Sequence, residues 1–328
     1  MYMHRLLSFL LLMWIALRIE AQSPFTVMAY NIENAFDASH DEGKDDLDFC
    51  EGGSKKWTKS RLFKKLHDVC KVIAAADEKR PIDLIVLCEV ENDTVMEYLT
   101  HRTPLNSLGY QYIMTNSADT RGMDVALLYS PFTFHPVDTQ FIHIPTSTPT
   151  HPIRDILHVA GTISNGDTLD VYALHLPSKI GGAVAQKRSI TATRILKANV
   201  DSIRVTRHYP NIILMGDFNA ETRSSQLKIL TSDSILTDHI APLSLGTYKY
   251  QGYWSTIDHI LSHTTTLSLP SSPSFSPPYA TILAFPFLLE PDETYGGSKP
   301  YRTYLGPVYH GGISDHLPIM MRFEVNSR

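Results

Sequence analysis

The sequence predicts an α/β fold: two packed mixed β-sheets with helices on their outer faces. Short apolar runs that read as strands outnumber helical stretches, and the helical stretches fall between groups of strands, so they must cover sheets. Several of the apolar runs end in Asn, Glu, Asp or His, which aligns polar side chains along one sheet edge. Hydrophobic residues make up 43% of the 328, enough for a large core and within the size of one α/β unit.

Phe25 to Ile32 reads as the first strand, with Asn31 near its end. Residues 37 to 56 are acidic and Gly-rich and read as a loop. From Trp57 to Ala76, Leu62, Leu66, Val69, Val72 and Ile73 fall on one helical face, with Thr58 placed to cap the N-terminus. Pro81 breaks that pattern, and Asp83 to Glu89 is a buried strand. Asp93 to Thr100 reads as helix, and Tyr110 to Met114 and Asp124 to Tyr129 as strands, the second stopped by Pro131. Leu157 to Thr162 and Thr168 to Leu174 form a hairpin around Asn165-Gly166-Asp167. Ala183 to Val205 is helical, with Lys187, Arg188, Arg194 and Lys197 on its polar side. Asn211 to Met215 is a strand running into Gly216-Asp217-Phe218-Asn219, and Tyr253 to Leu261 is another. Ser268 to Pro278, rich in Ser and Pro, reads as an exposed loop. Residues 285 to 312 are irregular and aromatic, and Leu317 to Phe323 is the last strand.

Residues 1–21 read as a signal peptide. His4 and Arg5 make a short basic start, Leu6 to Leu17 is an apolar stretch too short to span a bilayer comfortably, and Ala21 offers a small residue before cleavage. The expected mature chain, 22–328, is one domain, exported to the periplasm or beyond the cell, with no stable membrane span and a monomeric state. No Cys follows the apolar stretch, which argues against a lipoprotein anchor. Net charge is −5 overall, and the mature chain keeps 27 basic and 33 acidic side chains. Such a balance excludes tight nonspecific binding to nucleic acid through a global positive field. It leaves room for a local basic patch. Of Cys50, Cys70 and Cys88, at least one is unpaired; Cys70 and Cys88 read as buried thiols, and a Cys50–Cys70 disulfide is left open.

The polar strand ends are Asn31, Glu89, His175, Asp217 with Asn219, Asp258, and then Asp315-His316. Carboxylate and amide oxygens suit a hard cation such as Mg²⁺, and His suits proton transfer. Glu89 directly follows the apolar run Leu84 to Cys88, so its burial is costly without a cation or hydrogen-bond donors. Asp217 and Asn219, two apart on an extended segment, lie on one face. Gly-Asp-Phe-Asn equally makes an Asx-type turn, and the two readings are compatible.

Gly-Asp-Phe-Asn at 216–219 together with Ser-Asp-His at 314–316 resembles the endonuclease/exonuclease/phosphatase superfamily. The stretches YNIENAFD, LCEVEN, RGMDVALLY and HLPSK carry the likeness across the mature chain, which looks closest to that superfamily's secreted bacterial branch. The resemblance implies a four-layer α/β sandwich with its site where the two sheets open at one edge. It implies cleavage of a phosphoester by in-line attack of water, with Mg²⁺ as cofactor and Mn²⁺ or Ca²⁺ as substitutes. Glu89, Asn31, Asp315 and Asp217 are then the expected metal-site residues. His316 is the expected acid–base or phosphate-binding group, with Asp258 as the partner fixing its tautomer. Asp217 would align the nucleophilic water, Asn219 would donate to a phosphoryl oxygen, and His175 would stabilise the leaving group with Asp124 as its partner. His259 should point to the opposite face of its strand.

Phosphate must also be held by basic residues, for which Lys179, Arg121, Arg302 and Arg188 are the candidates nearest the motifs. Tyr295, Tyr301, Tyr304 and Tyr309 either stack on a substrate or pack in the core. The leading expectation is a nuclease acting on nucleic acid. Its alternative is a phosphatase or lipid phosphodiesterase acting on an inositol phosphate, a phospholipid or a sphingomyelin headgroup. A non-catalytic binding module would lack an acid, base or ligand, and none of the principal positions is missing.

Overall fold

The computed structural model describes residues 23–145, 152–178, 181–264, 267–269 and 279–326. The leader expected at 1–21, Lys179 and most of the Ser/Pro stretch lie outside the described residues.

Two large sheets carry the molecule. The first contains β1 (Ser23–Ala35), β2 (Leu84–Val90), β3 (Gln111–Met114), β4 (Asp124–Tyr129), β13 (Leu267–Ser268), β14 (Ala280–Ile282) and β19 (Ile319–Val325). Its order is β13-β19-β1-β2-β4-β3, with β14 also on β19. The second runs β5-β6-β7-β8-β12-β9. It is built from β5 (Phe134–Ile142), β6 (Ile156–Ile163), β7 (Thr168–His175), β8 (Ile212–Asp217), β9 (Thr237–Asp238) and β12 (Asp258–His263). Short hairpins β10–β11 (Tyr248–Tyr250, Tyr253–Ser255), β15–β16 (Leu289–Pro291, Ser298–Pro300) and β17–β18 (Tyr304–Leu305, Val308–Tyr309) decorate one end.

Period-two alternation sets the layers. Val171 and Ala173 of β7 and Ile213 and Met215 of β8 join Val27, Ala29, Val86 and Ala126 in the central core. Tyr172, Leu174, Ile212 and Leu214 face the other way, onto Leu196 and Val200 of helix α3 (Gly182–Thr206) and Leu227 of helix α4 (Ser225–Thr231). Helix α1 (Lys59–Ala76) covers the first sheet through Leu62, Leu66, Val69 and Ile73, and packs beside helix α2 (Asp93–Arg102). The Thr58 hydroxyl accepts from Arg61 N as the N-cap. This is the two-sheet α/β sandwich with outer helices. None of the described helices is long and apolar enough to cross a membrane.

The structure departs from the sequence reading at four places. The stretch Tyr253–Leu261 is two elements rather than one strand. The chain breaks at Thr256-Ile257, where Ile257 N donates to Thr247 Oγ1 and Ile257 O accepts from Phe218 N, so only Asp258–His263 joins the sheet. Strand β5 was not legible because it is an edge strand with Pro136 at a register shift and mostly exposed side chains. Helix α4 is two turns long, too short for a periodic signal. The irregular 285–312 segment contains the β15–β16 and β17–β18 hairpins. All three cysteines are free thiols, so the Cys50–Cys70 bridge left open by the sequence is absent.

Candidate active site

In both sheets the parallel pairs β1/β2 and β7/β8 point their C-terminal ends the same way, and the antiparallel strands β12 and β19 begin there. One edge therefore collects Asn31, Glu89, His175, Asp217, Asp258 and His316.

The second sheet aligns three of them by register. His175 pairs with Asp217, and Asp217 with Asp258, side by side across β7, β8 and β12. Gly216 makes this approach feasible: its φ is +139°, and a Cβ there would lie 2.0 Å from Leu174 O. In the first sheet, two adjoining irregularities aim the other side chains. The β2–β4 register shifts between Cys88 and Val90, leaving Glu89 as an extra residue with φ +64°. The β1–β2 register shifts between Asn31 and Ala35, where Glu33 and Asn34 are also left-handed. Such strained positions persist where surrounding structure imposes them.

Asn31 links the sheets: its amide nitrogen donates to Glu89 Oε1 at 3.3 Å and to Asp217 Oδ2 at 3.1 Å. Glu89 Oε2 accepts from Asn34 N, and Asn34 Oδ1 accepts from Arg121 at 2.8 Å. Burial alone would raise the Glu89 carboxyl, but His175, Arg121 and Arg154 nearby hold it down to about 2. Asp217 is pushed up to about 7 by burial and by the neighbouring Asp258 carboxylate, against the pull of His316.

His316 Nδ1 lies 2.8 Å from Asp258 Oδ2, and its Nε2 faces Asp217 Oδ2 at 3.9 Å. Although burial opposes the charged form, Asp258 and Asp217 raise His316 well above the usual imidazole range, which favours the imidazolium at neutral pH. The Ser314 hydroxyl donates to Asn31 O and accepts from His316 N, tying the Ser-Asp-His loop to β1. Thr247 Oγ1 accepts from Asp258 N, and Tyr248 packs its ring 5.1 Å from that of His316. By contrast, burial and Arg154 lower His175 well below the imidazole range. Its Nε2 lies 3.4 Å from Asp217 Oδ2, and its buried Nδ1 has no hydrogen-bond partner.

Four expected assignments meet different partners. Asp124 does not pair with His175: its Oδ1 accepts from the Thr115 hydroxyl and from Ser117 N, and the carboxylate nearest His175 is Asp217. Arg302 is not free for phosphate, because its guanidinium meets Asp315 Oδ2 at 2.9 Å and Glu33 Oε1 at 3.4 Å. Asp315 accordingly belongs to an ionic network beneath the site. There, buried Lys65 donates to Thr303 Oγ1 and Ile313 O, and Glu33 accepts from Thr303 N. Asn219 N donates to Asp217 Oδ1, which is the Asx turn, and the Asn219 side-chain amide already donates to Leu176 O and Asp217 Oδ2. His259 points away from the site, toward Asp238 at 2.8 Å and Ala220 O.

Arg121 and Arg188 line one cleft of about 290 Å³ with Arg154, Pro177 and Ser178, next along the chain from His175. Arg154 carries no motif, and its place here comes only from the docking of the segment before β6 onto this edge. Tyr304 packs against Trp57 in the core, Tyr309 lies half-buried against the same ring, the Tyr301 hydroxyl donates to His310 O, and Tyr295 is exposed.

Asp217, Asp258 and His316 present ligand atoms within 4.8 Å of one another, and Glu89 joins them through Asn31. The three carboxylates Glu89, Asp217 and Asp258 exceed the single positive charge of His316, so their oxygens fit a hard divalent metal, with the imidazolium beside it rather than among its ligands. A divalent cation beside a charged histidine suits hydrolysis of a phosphoric ester, the chemistry of the class to which this chain belongs, the metal-dependent phosphoester hydrolases. The sequence profile of the Endonuclease/Exonuclease/phosphatase family matches residues 26–325, and the chain belongs to that family.

Solved structures agree on the fold. An endonuclease/exonuclease/phosphatase family protein from Bacteroides thetaiotaomicron superposes with a TM-score of 0.60 at 17% identity, covering 94% of this chain and 100% of that one. Humanized D. rerio TDP2 gives 0.57 at 15% identity, covering 92% and 98%. A Bacteroides thetaiotaomicron mannosyl-6-phosphatase gives 0.56 at 18%, covering 91% and 99%. No curated protein sequence matches.

Proposed function

We propose that this enzyme is an exported, Mg²⁺-dependent phosphodiesterase of the secreted bacterial branch, acting on nucleic acid. The carrying observation is the cleft in which Arg121, Arg154 and Arg188 gather near His175: three guanidinium groups against one carboxylate, Asp119, which lies 3.4 Å from Arg154, on a chain of net negative charge. A single scissile phosphate needs fewer cations; a chain of phosphates has neighbours for the others. Export rests on the leader-like residues 1–21.

Glu89, Asp217 and Asp258 would hold the cation, with Asn31 orienting two of the carboxylates. When bound, the cation neutralises phosphoryl charge and eases deprotonation of the attacking water. Asp217, whose Oδ2 faces both His175 and His316, would orient that water and take its proton. His316, charged and held by Asp258, binds a phosphoryl oxygen and steadies the charge that develops on it. His175, kept neutral, donates a hydrogen bond to the leaving oxygen. The arginine cleft orients the flanking phosphate.

A second reading is a phosphomonoesterase. It is favoured by the loss of Arg302 to Asp315 and Glu33, and by the likeness to a mannosyl-6-phosphatase. Assaying the purified protein in parallel with Mg²⁺ on single-stranded DNA, plasmid DNA, RNA, a phospholipid, an inositol phosphate and a sugar phosphate separates the two. Cleaved nucleic acid, abolished by EDTA, is expected. Release of inorganic phosphate from the small esters with intact nucleic acid overturns the nuclease reading.

A further inference from the structure

The acidic loop 37–53 forms a second cluster that the catalytic site does not use. Asp41, Asp46 and Glu91 present carboxylate oxygens within 4.8 Å of one another. Asn92 joins Asp37 to them, donating from its one amide nitrogen to Asp37 Oδ2 and Asp41 Oδ2, each at 3.2 Å. Asp46 is fully buried, Glu91 is 4% exposed and Asp37 7%. One Glu91 oxygen accepts from Asp37 N; the other, Oε1, is buried with no partner at all.

Four carboxylates are thus drawn together, three of them buried. Among the described residues no lysine or arginine pairs with any of the four. Lys44, the nearest ammonium along the loop, donates instead to Ser117 O and Asp119 O. Among the described residues the one basic side chain that reaches the cluster is His40, whose Nδ1 meets Asp46 Oδ1 from a half-exposed ring. Glu91 Oε1 alone has neither a donor nor a counter-charge, and a carboxylate buried in that state is unfavourable until something positive neutralises it, which a cation at the cluster would do. The cluster opens to solvent through a cleft of about 330 Å³ that Asp41, Glu91 and Asn92 help to line, which gives an ion its path.

We propose that Asp37, Asp41, Asp46 and Glu91 form a structural Ca²⁺ site that fastens the 37–53 loop to the end of β2. All the donors are hard oxygens, from an irregular loop and a strand end with no octahedral arrangement, which suits the larger ion with its tolerant geometry better than Mg²⁺. It shares no ligand with the catalytic centre: Asp217, Asp258 and His316 converge there, and Asp41, Asp46 and Glu91 here.

The test is titration of the EDTA-stripped, chelator-free protein with CaCl₂ by calorimetry, paired with melting temperature. A Glu89→Gln background weakens the catalytic centre's claim on the ion. One Ca²⁺ should still bind, and the melting temperature should rise by about 5 °C or more at saturation. In that background Asp41→Asn, a partly exposed change, and Glu91→Gln should each weaken Ca²⁺ binding at least about tenfold, by removal of a charged ligand. Without Ca²⁺, Glu91→Gln should melt no lower than its parent, since it deletes a buried charge that lacks a partner. No binding in the background, or unchanged affinity in Asp41→Asn, overturns the proposal. If Glu91→Gln fails to fold, the Asp41→Asn result alone decides.

Discussion

His316 and Asp258, 2.8 Å apart, come from different sheets: Asp258 opens β12 of the second, and His316 stands just before β19 of the first. The pair closes the sandwich at its active edge and sets the charge of the imidazole at once. Replacing Asp258 by Asn leaves the shape but removes the charge that raises His316. The rate at neutral pH should fall by about a hundredfold or more, as expected on losing a charged group at the reacting phosphate. The His316 titration, followed by NMR, should move down toward or below about 6.5. An unchanged titration would mean that Asp258 does not govern His316.

Glu89 is expected to act through the metal. Glu89→Gln should raise the Mg²⁺ concentration needed for half-maximal rate, with partial recovery at high Mg²⁺, because one charged ligand is lost. A metal requirement equal to the parent's would make Glu89 a purely structural residue.

Arg154 should matter for binding rather than for chemistry. Arg154→Ala is expected to raise KM for an oligonucleotide about tenfold with a small change in kcat, and to flatten the salt dependence of binding. A fall in kcat with unchanged KM would place Arg154 at the scissile phosphate instead.

Gly216→Ala tests the packing that brings Asp217 beside His175. The new methyl would meet Leu174 O, a backbone atom of the neighbouring strand, so β7 and β8 must separate. Destabilisation of about 2–4 kcal/mol is expected, the range of backbone strain and overpacking together. Denaturant unfolding monitored by circular dichroism checks it.

Asp170 supplies a pH signature away from the site. Burial would raise its carboxyl, but His158 at 3.0 Å and Arg207 at 3.1 Å overcome this and lower it. A carboxyl lower in the folded state stabilises fully above its unfolded value, about 3.9, and loses that contribution as pH falls through the folded one. The parent should therefore exceed Asp170→Asn in stability at pH 6, with the gap closing below about pH 4. A gap that stays constant across that range would assign the effect to packing.

The sequence by itself determined the class of fold and the row of polar strand ends. Both are local patterns: alternating apolar residues specify strands, and Asn31, Glu89, His175, Asp217, Asp258 and His316 each stand where such a run stops. Strand direction then carries them to one edge. Only the tertiary structure decided who meets whom. Arg302 is committed to Asp315 and Glu33, Asp124 to Thr115, and Arg154 joins Arg121 and Arg188, each through contacts between segments distant in sequence. A long polar side chain can turn to either neighbour, and which neighbour is present depends on how loops dock. No periodicity in the chain encodes that. The acidic 37–53 loop shows the same division: its charges were plain in the sequence, but their convergence on the buried Glu91 arises only when the loop folds back over the end of β2.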